Sequence, residues 1–195
     1  VALPMCILCD TCSILMLIRI APEMFMDERY ECLTIVDVKD ELFQTQKFKN
    51  KYPWRLDFKN RIKTLRTTEV ISGDFDLYLQ TITNLIESGI INHRTQKFFN
   101  LSRVDKKFIA CALAHNYEVT TSDNDLIHFL QQEFSTTNIT PLGLINRWLK
   151  NQLIEWNEQR QSIIEDWDKC NEARQPLSDI QEFENLTGYK YVGPN

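Results

Sequence analysis

The run Met5-Cys6-Ile7-Leu8-Cys9, closed by Asp10-Thr11, is apolar without a break and only five residues long. A short continuous apolar run bounded by polar residues has the pattern of a strand buried on both faces, as strands of a parallel sheet are. Residues Ser13 to Ile20 follow with helical potential, punctuated by Pro22. Leu33-Thr34-Ile35-Val36 reads as a strand or a helix start, and Val38, Leu42 and Phe43 then recur at helical spacing between Asp37 and Lys47. Phe75, Leu77, Leu79, Ile82, Leu85 and Ile86 predict an amphipathic helix over 74–88, stopped by Gly89. Ser102 caps another, with Val104, Phe108, Ile109, Ala112 and Leu113 on one face out to about His115 and Asn116 as its stop. Tyr117-Glu118-Val119-Thr120-Thr121 is the next strand, and Ser122-Asp123-Asn124-Asp125 the polar loop before a helix over 126–134. Strand and helix alternate, so the fold class is α/β, a central parallel sheet flanked by helices.

The 195 residues are 43% hydrophobic and 25% charged, with 5 Gly and 6 Pro, enough for one sizeable core and unlike collagen or Pro/Gly-rich disorder. A net charge of −5 argues against a polyanion-binding surface spread over the whole chain but allows a local basic face. The apolar start lacks a preceding basic residue and is split by Asp10, and its uncharged part, 1–9, is half of the roughly 18 residues a membrane span needs. The expectation is a cytoplasmic protein with no membrane partner. Six cysteines without a leader pattern fit free thiols in a reducing compartment. Cys6-x2-Cys9-x2-Cys12 reads either as small buried hydrophobes or as a metal–thiolate cluster; on a strand Cys6 and Cys9 face opposite ways, which favours the first.

After Pro141 the pattern is helical only. Leu142, Leu149, Trp156, Ile163 and Cys170 fall seven apart, which predicts a long helix, either packed on the rest of the chain or forming a seam for a partner helix or a second copy. Gln152 and Arg160 interrupt the stripe. The division is therefore an α/β unit over 1–140 and an acidic helical extension over 141–195, whose tail from Pro176 has few apolar residues and is expected to be peripheral.

In open parallel sheets ligands bind beyond the carboxyl ends of the strands. Asp10 directly follows the first strand and Asp123 follows the strand ending at Thr121; Asp105 lies in the first turn of the helix capped by Ser102, and Glu41 lies on the helix after the second apolar run. Each alone is an ordinary helix cap. Brought together, four carboxylates repel one another unless a hard divalent cation neutralises them, and Mg²⁺ or Mn²⁺ held by such oxygens activates water and clamps a phosphodiester for in-line attack. No histidine has a zinc-spaced partner, and there is no Gly-rich phosphate loop.

The ordered set Ile7-Leu8-Cys9-Asp10-Thr11-Cys12-Ser13, Val38-Lys39-Asp40-Glu41-Leu42, Leu101-Ser102-Arg103-Val104-Asp105 through Ala110, and Val119-Thr120-Thr121-Ser122-Asp123-Asn124-Asp125-Leu126 resembles the PIN-domain family over roughly residues 5–135. That resemblance implies a PIN-like sheet, Mg²⁺- or Mn²⁺-dependent endonuclease activity on RNA, and a catalytic, metal-holding set of Asp10, Glu41, Asp105 and Asp123, with Asp125 a rival for the fourth place. It implies that Thr121 orients Asp10. Many bacterial members are toxins of toxin–antitoxin pairs, so an antitoxin-like protein and a homodimer are the implied partners. Two departures stand out: Cys12 occupies a position where Asn or Ser is common, and the extension after Pro141 lies mostly outside the family core.

Between Lys47 and Arg66 eight basic residues meet one acid, Asp57, with Phe48, Tyr52, Trp54 and Phe58 interleaved. Lys47, Lys49, Lys51, Arg55, Lys59 and Arg61, with Arg103 beside Asp105, are the candidate phosphate contacts, the aromatics candidate base-stacking surfaces. The alternative is a solvated basic face whose aromatics belong to the core. Two functional rivals remain: a DNA-directed nuclease with the same site, and a non-catalytic binding module, against which the presence of all four acids counts.

Overall fold

The structure, a computed structural model, describes residues 6–195; Met5, counted above into the first strand, lies outside the described residues. In chain order its elements are β1 (Ile7–Cys9), α1 (Thr11–Leu17), β2 (Cys32–Leu33), α2 (Val36–Gln44), α3 (Gln46–Lys51), a 3-10 helix (Pro53–Arg61), α4 (Thr67–Val70), α5 (Phe75–Glu87), β3 (Ile91–Asn92), β4 (Lys97–Phe98), α6 (Arg103–His115), β5 (Glu118–Thr120), α7 (Asn124–Phe134), β6 (Asn138–Ile139), α8 (Pro141–Lys150), α9 (Glu158–Lys169) and α10 (Leu177–Thr187). Four strands form one parallel sheet in the order β2-β1-β5-β6, flanked by helices. The protein is thus α/β.

β1 sits inside the sheet with Ile7, Leu8 and Cys9 all fully buried, which is why its sequence is apolar without alternation. Its register with β5 pairs Cys9 with Thr120, so the two central strands end level and the next residues, Asp10 and Thr121, lie side by side. Helix stops match their sequence signals: Asn116 takes the left-handed φ of 53° after α6, and Gly89 a φ of 74° after α5. The antiparallel β3–β4 hairpin and the edge strand β6 were not expected from the sequence; each strand is two residues long.

The seven-residue stripe does not form one long helix. The chain leaves α8 at Asn151, Gln152 adopts a left-handed φ of 56°, and the helix restarts at α9, where Asn157 accepts a hydrogen bond from the Arg160 N–H at 3.0 Å. Leu149, Trp156 and Ile163 therefore belong to three separate segments. Nor is the tail peripheral: α10 packs on α8 and buries Phe183 completely. Trp148 and Trp167 are 1% and 3% exposed, and one apolar cluster runs from β1 across residue 140 to Phe183. Polar ties reinforce the seam. Trp167 Nε1 donates to the Met16 carbonyl at 3.1 Å, Arg160 Nε to the Ile20 carbonyl at 2.9 Å, and Arg147 grips both oxygens of Glu118 at 2.6 and 2.9 Å. Among the described residues no helix is long and apolar enough to cross a membrane.

Candidate functional site

Asp10 caps α1: Oδ1 accepts the Ser13 N–H at 2.8 Å, while Oδ2 accepts the Thr121 hydroxyl at 2.5 Å. The side chain sits at the end of a fully buried strand and is itself only 6% exposed. Burial pushes its pKa up to about 6; the hydrogen bonds from Thr121 and Ser13 pull the other way, and the charge of Asp123 adds to the rise. Thr121 Oγ1 in turn accepts the Asp123 N–H at 3.0 Å, so one buried hydroxyl ties the first acid to the fourth. Asp123 caps α7, its Oδ1 accepting from Asp125 N at 2.8 Å and Leu126 N at 3.2 Å.

Asp105 and Ser102 form a reciprocal cap on α6, with Ser102 N donating to Asp105 Oδ2 at 2.8 Å and Asp105 N to Ser102 Oγ at 3.1 Å. The Asp105 carboxyl is raised above its ordinary pKa by burial first, against the pull of the Ser102 hydrogen bonds, with the charges of Asp123 and Glu41 adding. Glu41, on α2, accepts the Thr11 hydroxyl through Oε2. Its neighbour Asp40 is exposed and faces an adjoining cavity instead.

The four acids therefore arrive on α2, on α6 and on the two level strand ends, and all line one cavity of about 180 Å³, with Lys47 the one cation on its wall. Asp125 does not join them: its oxygens accept from Asn92 Nδ2 at 3.2 Å and Asn100 N at 3.4 Å, which anchors the hairpin. Glu41, Asp105 and Asp123 each keep one carboxylate oxygen outside these hydrogen bonds. Hard oxygen donors under mutual repulsion suit Mg²⁺ or Mn²⁺ in kind. Even so, among the described residues no three His, Cys, Asp or Glu side chains stand in ready coordinating geometry: Asp10 spends both oxygens on Ser13 and Thr121, and Glu41 is held by Thr11.

The basic segment divides. Arg55 is 2% exposed and its guanidinium donates to the carbonyls of Leu42, Phe48 and Tyr52 at 3.0, 3.3 and 3.1 Å, so it is an internal staple between α2 and α3 and cannot meet a phosphate. Phe48 and Tyr52 are buried, and Trp54 and Phe58 half-buried in edge-to-face contact, so the aromatics serve mainly the core. Lys47 and Lys49 are exposed; Lys51 lies 4.0 Å from Glu172, Lys59 over the Phe43 ring, and Arg61 3.7 Å from Glu23. Arg103 is exposed and borders the adjoining cavity that also touches Glu41. Cys9, Cys12, Cys32, Cys111 and Cys170 are free thiols; Cys9 lies against Cys32 while Cys12 faces the acid cavity, so the Cys6–Cys12 spacing makes no thiolate cluster.

Sequence reasoning missed Thr11 as the holder of Glu41, although its place beside Asp10 at the start of α1 is the available signal. Fold and site together define an α/β protein whose parallel sheet carries an acidic cavity at its carboxyl end. In comparison with known proteins, no family model, no curated protein and no solved structure matches the chain. The resemblance to PIN domains rests on the four sequence motifs alone.

Proposed function

We propose that the protein is a Mg²⁺- or Mn²⁺-dependent endoribonuclease. The observation that carries this reading is the meeting of Asp10, Glu41, Asp105 and Asp123, from four separate segments, on one cavity. Helix capping explains Asp10, Asp105 and Asp123 singly but gives no reason for four carboxylates, Glu41 among them, to line one cavity, which costs stability. When bound, the cation supplies charge neutralisation and activation of the attacking water. Glu41, Asp105 and Asp123 each have an unspent oxygen to offer it, and would have to draw together from their positions here to share one ion. Thr121 keeps Asp10 oriented and links it to Asp123, Ser13 fixes the other Asp10 oxygen, and Lys47 is placed to take a negative charge on the substrate beside the cavity. Within the same reading, a toxin role implies a partner that inserts a basic side chain into the acidic cavity.

The test is cleavage of labelled RNA and single-stranded DNA with Mn²⁺, with Mg²⁺ and with chelator, alongside Asp10→Asn. The expected outcome is RNA cleavage that needs metal and falls to background in the variant, while the variant stays folded. Cleavage by Asp10→Asn at the wild-type rate overturns the site. Preference for DNA moves the substrate class, and tight binding of nucleic acid without turnover at saturating Mn²⁺ leaves a binding module.

A further inference from the structure

The acid cavity is not a closed pit. On one side it shares Glu41 and Val104 with a cavity of about 490 Å³ bordered by Arg103 and Lys107. On the other it shares Cys12, Lys47 and Phe48 with one of about 370 Å³, which shares Leu15, Lys51, Tyr52 and Glu172 with a fourth of about 270 Å³. Linked through these shared wall residues, the four cavities lie in a row, here called the trough, in which the acids occupy one place. Its far end lies between α1, the 3-10 helix and the last turn of α9, so the C-terminal layer builds part of the wall.

At that end Arg19, Lys51 and Lys169 stand against Asp166 and Glu172. Asp166 receives both Arg19 Nη1 and Lys169 Nζ at 3.0 Å. Glu172 accepts the Tyr52 hydroxyl and has Lys51 at 4.0 Å. Three cations share two carboxylates, leaving positive charge uncompensated. The guanidinium of Arg19 lies over the Trp54 ring, 5.1 Å from its centre, and Leu15 and Trp167 give an apolar floor. Cations above an apolar and aromatic floor suit a nucleotide: the phosphate meets the charges and a base stacks on the Trp-backed guanidinium. Contacts to a part of the strand remote from the acid cavity would add binding energy that the few groups around the scissile phosphate do not supply.

We propose that this fourth cavity is a distal nucleotide subsite for single-stranded substrate, through which the C-terminal layer sets the shortest strand that is cut efficiently. The proposal rests on the nuclease reading above. It is tested with single-stranded RNA ladders of about 4 to 16 nucleotides, grown separately from the 5′ and the 3′ side, with KM measured in Mn²⁺ for the wild type and for Lys51→Glu/Lys169→Glu. Both lysine side chains are exposed, at 43% and 69%, but Lys51 also lies over the buried Tyr52 ring, so thermal unfolding is measured beside KM and Lys51→Gln/Lys169→Gln repeats the test without setting a carboxylate against Glu172 and Asp166. The expected result is a drop in KM of about tenfold once the strand passes a threshold on one side only. In the double variant the ratio of short-strand to long-strand KM falls toward one, while Lys63→Glu, which touches none of the four cavities, keeps it. A double variant with the wild-type length dependence overturns the subsite and leaves the nuclease standing. If the wild type cuts no strand of any length with metal, the nuclease reading fails and the subsite with it.

Discussion

The carboxyl end of the sheet and the layer built by residues 141–195 treat charge in opposite ways. At the sheet end four carboxylates share a cavity with one lysine, and Asp10 and Asp105 are held above their ordinary pKa values by burial. In the C-terminal layer several carboxylates are paired with cations, Asp166 with Arg19 and Lys169, Glu182 with Lys150 and Glu184 with Lys190, and the layer's Arg147 pairs with Glu118 of β5, around buried Trp148, Trp167 and Phe183. The difference teaches where the stability of this chain is made and where it is spent. Packing across residue 140 supports a cavity that folds at a cost, as functional sites commonly do.

The largest effect should come from breaking the supporting side. Trp167→Ala removes a buried ring and its hydrogen bond to the Met16 carbonyl, and should lower the unfolding free energy by about 3–5 kcal/mol. Urea denaturation measures it; a loss below about 1 kcal/mol would mean the layer is an appendage. The opposite sign belongs to the acid side. Asp10 titrates near 6 in the fold and near 3.8 when unfolded, so between these values the folded protein keeps a proton the unfolded chain has lost. Stability from this group is present below about pH 4 and falls as pH rises through 6, by ~3 kcal/mol in all. In chelator, the stability difference between wild type and Asp10→Asn should shift by that amount across the window, the variant being the more stable at pH 7. A flat difference would remove the claim of strain. The smallest change is at the clamp. Thr121→Val keeps all four acids but removes the hydroxyl that holds Asp10 Oδ2 and accepts the Asp123 N–H, and should weaken Mn²⁺ binding by about 10- to 100-fold in calorimetry; unchanged affinity would leave Thr121 a purely structural residue.

How far these regions could be read in advance follows the same divide. β1 announces itself because burial on both faces demands an unbroken apolar run, β5 shows through the β-branched Val119-Thr120-Thr121 between Asn116 and Ser122, and Ser102 and Asn116 mark α6 because orphan backbone groups at helix ends need partners. Asp10, Asp105 and Asp123 were legible because each follows a recognisable strand end or helix start, whereas Glu41, in the body of α2, was singled out only by the motif it sits in. Arg55 was not: a guanidinium written among lysines looks the same whether it meets water or three carbonyls. The break between α8 and α9 was hidden because two short helices and the loop between them satisfy a seven-residue spacing as well as one long helix does. Arg19, Glu172 and the trough they border come from contacts between segments more than a hundred residues apart, which no local pattern encodes.

The hydrogen bond from Thr121 to Asp10 closes a loop of 111 positions, and the one from Trp167 to Met16 a loop of 151. Contacts of that span form only after most of the chain exists. While the protein emerges from the ribosome, Asp10 is present from the start but its clamp, its partner acids and the layer beneath it are not. The acid cavity is therefore assembled late, and a nascent copy that has not yet reached Thr121 and Asp123 carries the first acid without its clamp or its partners.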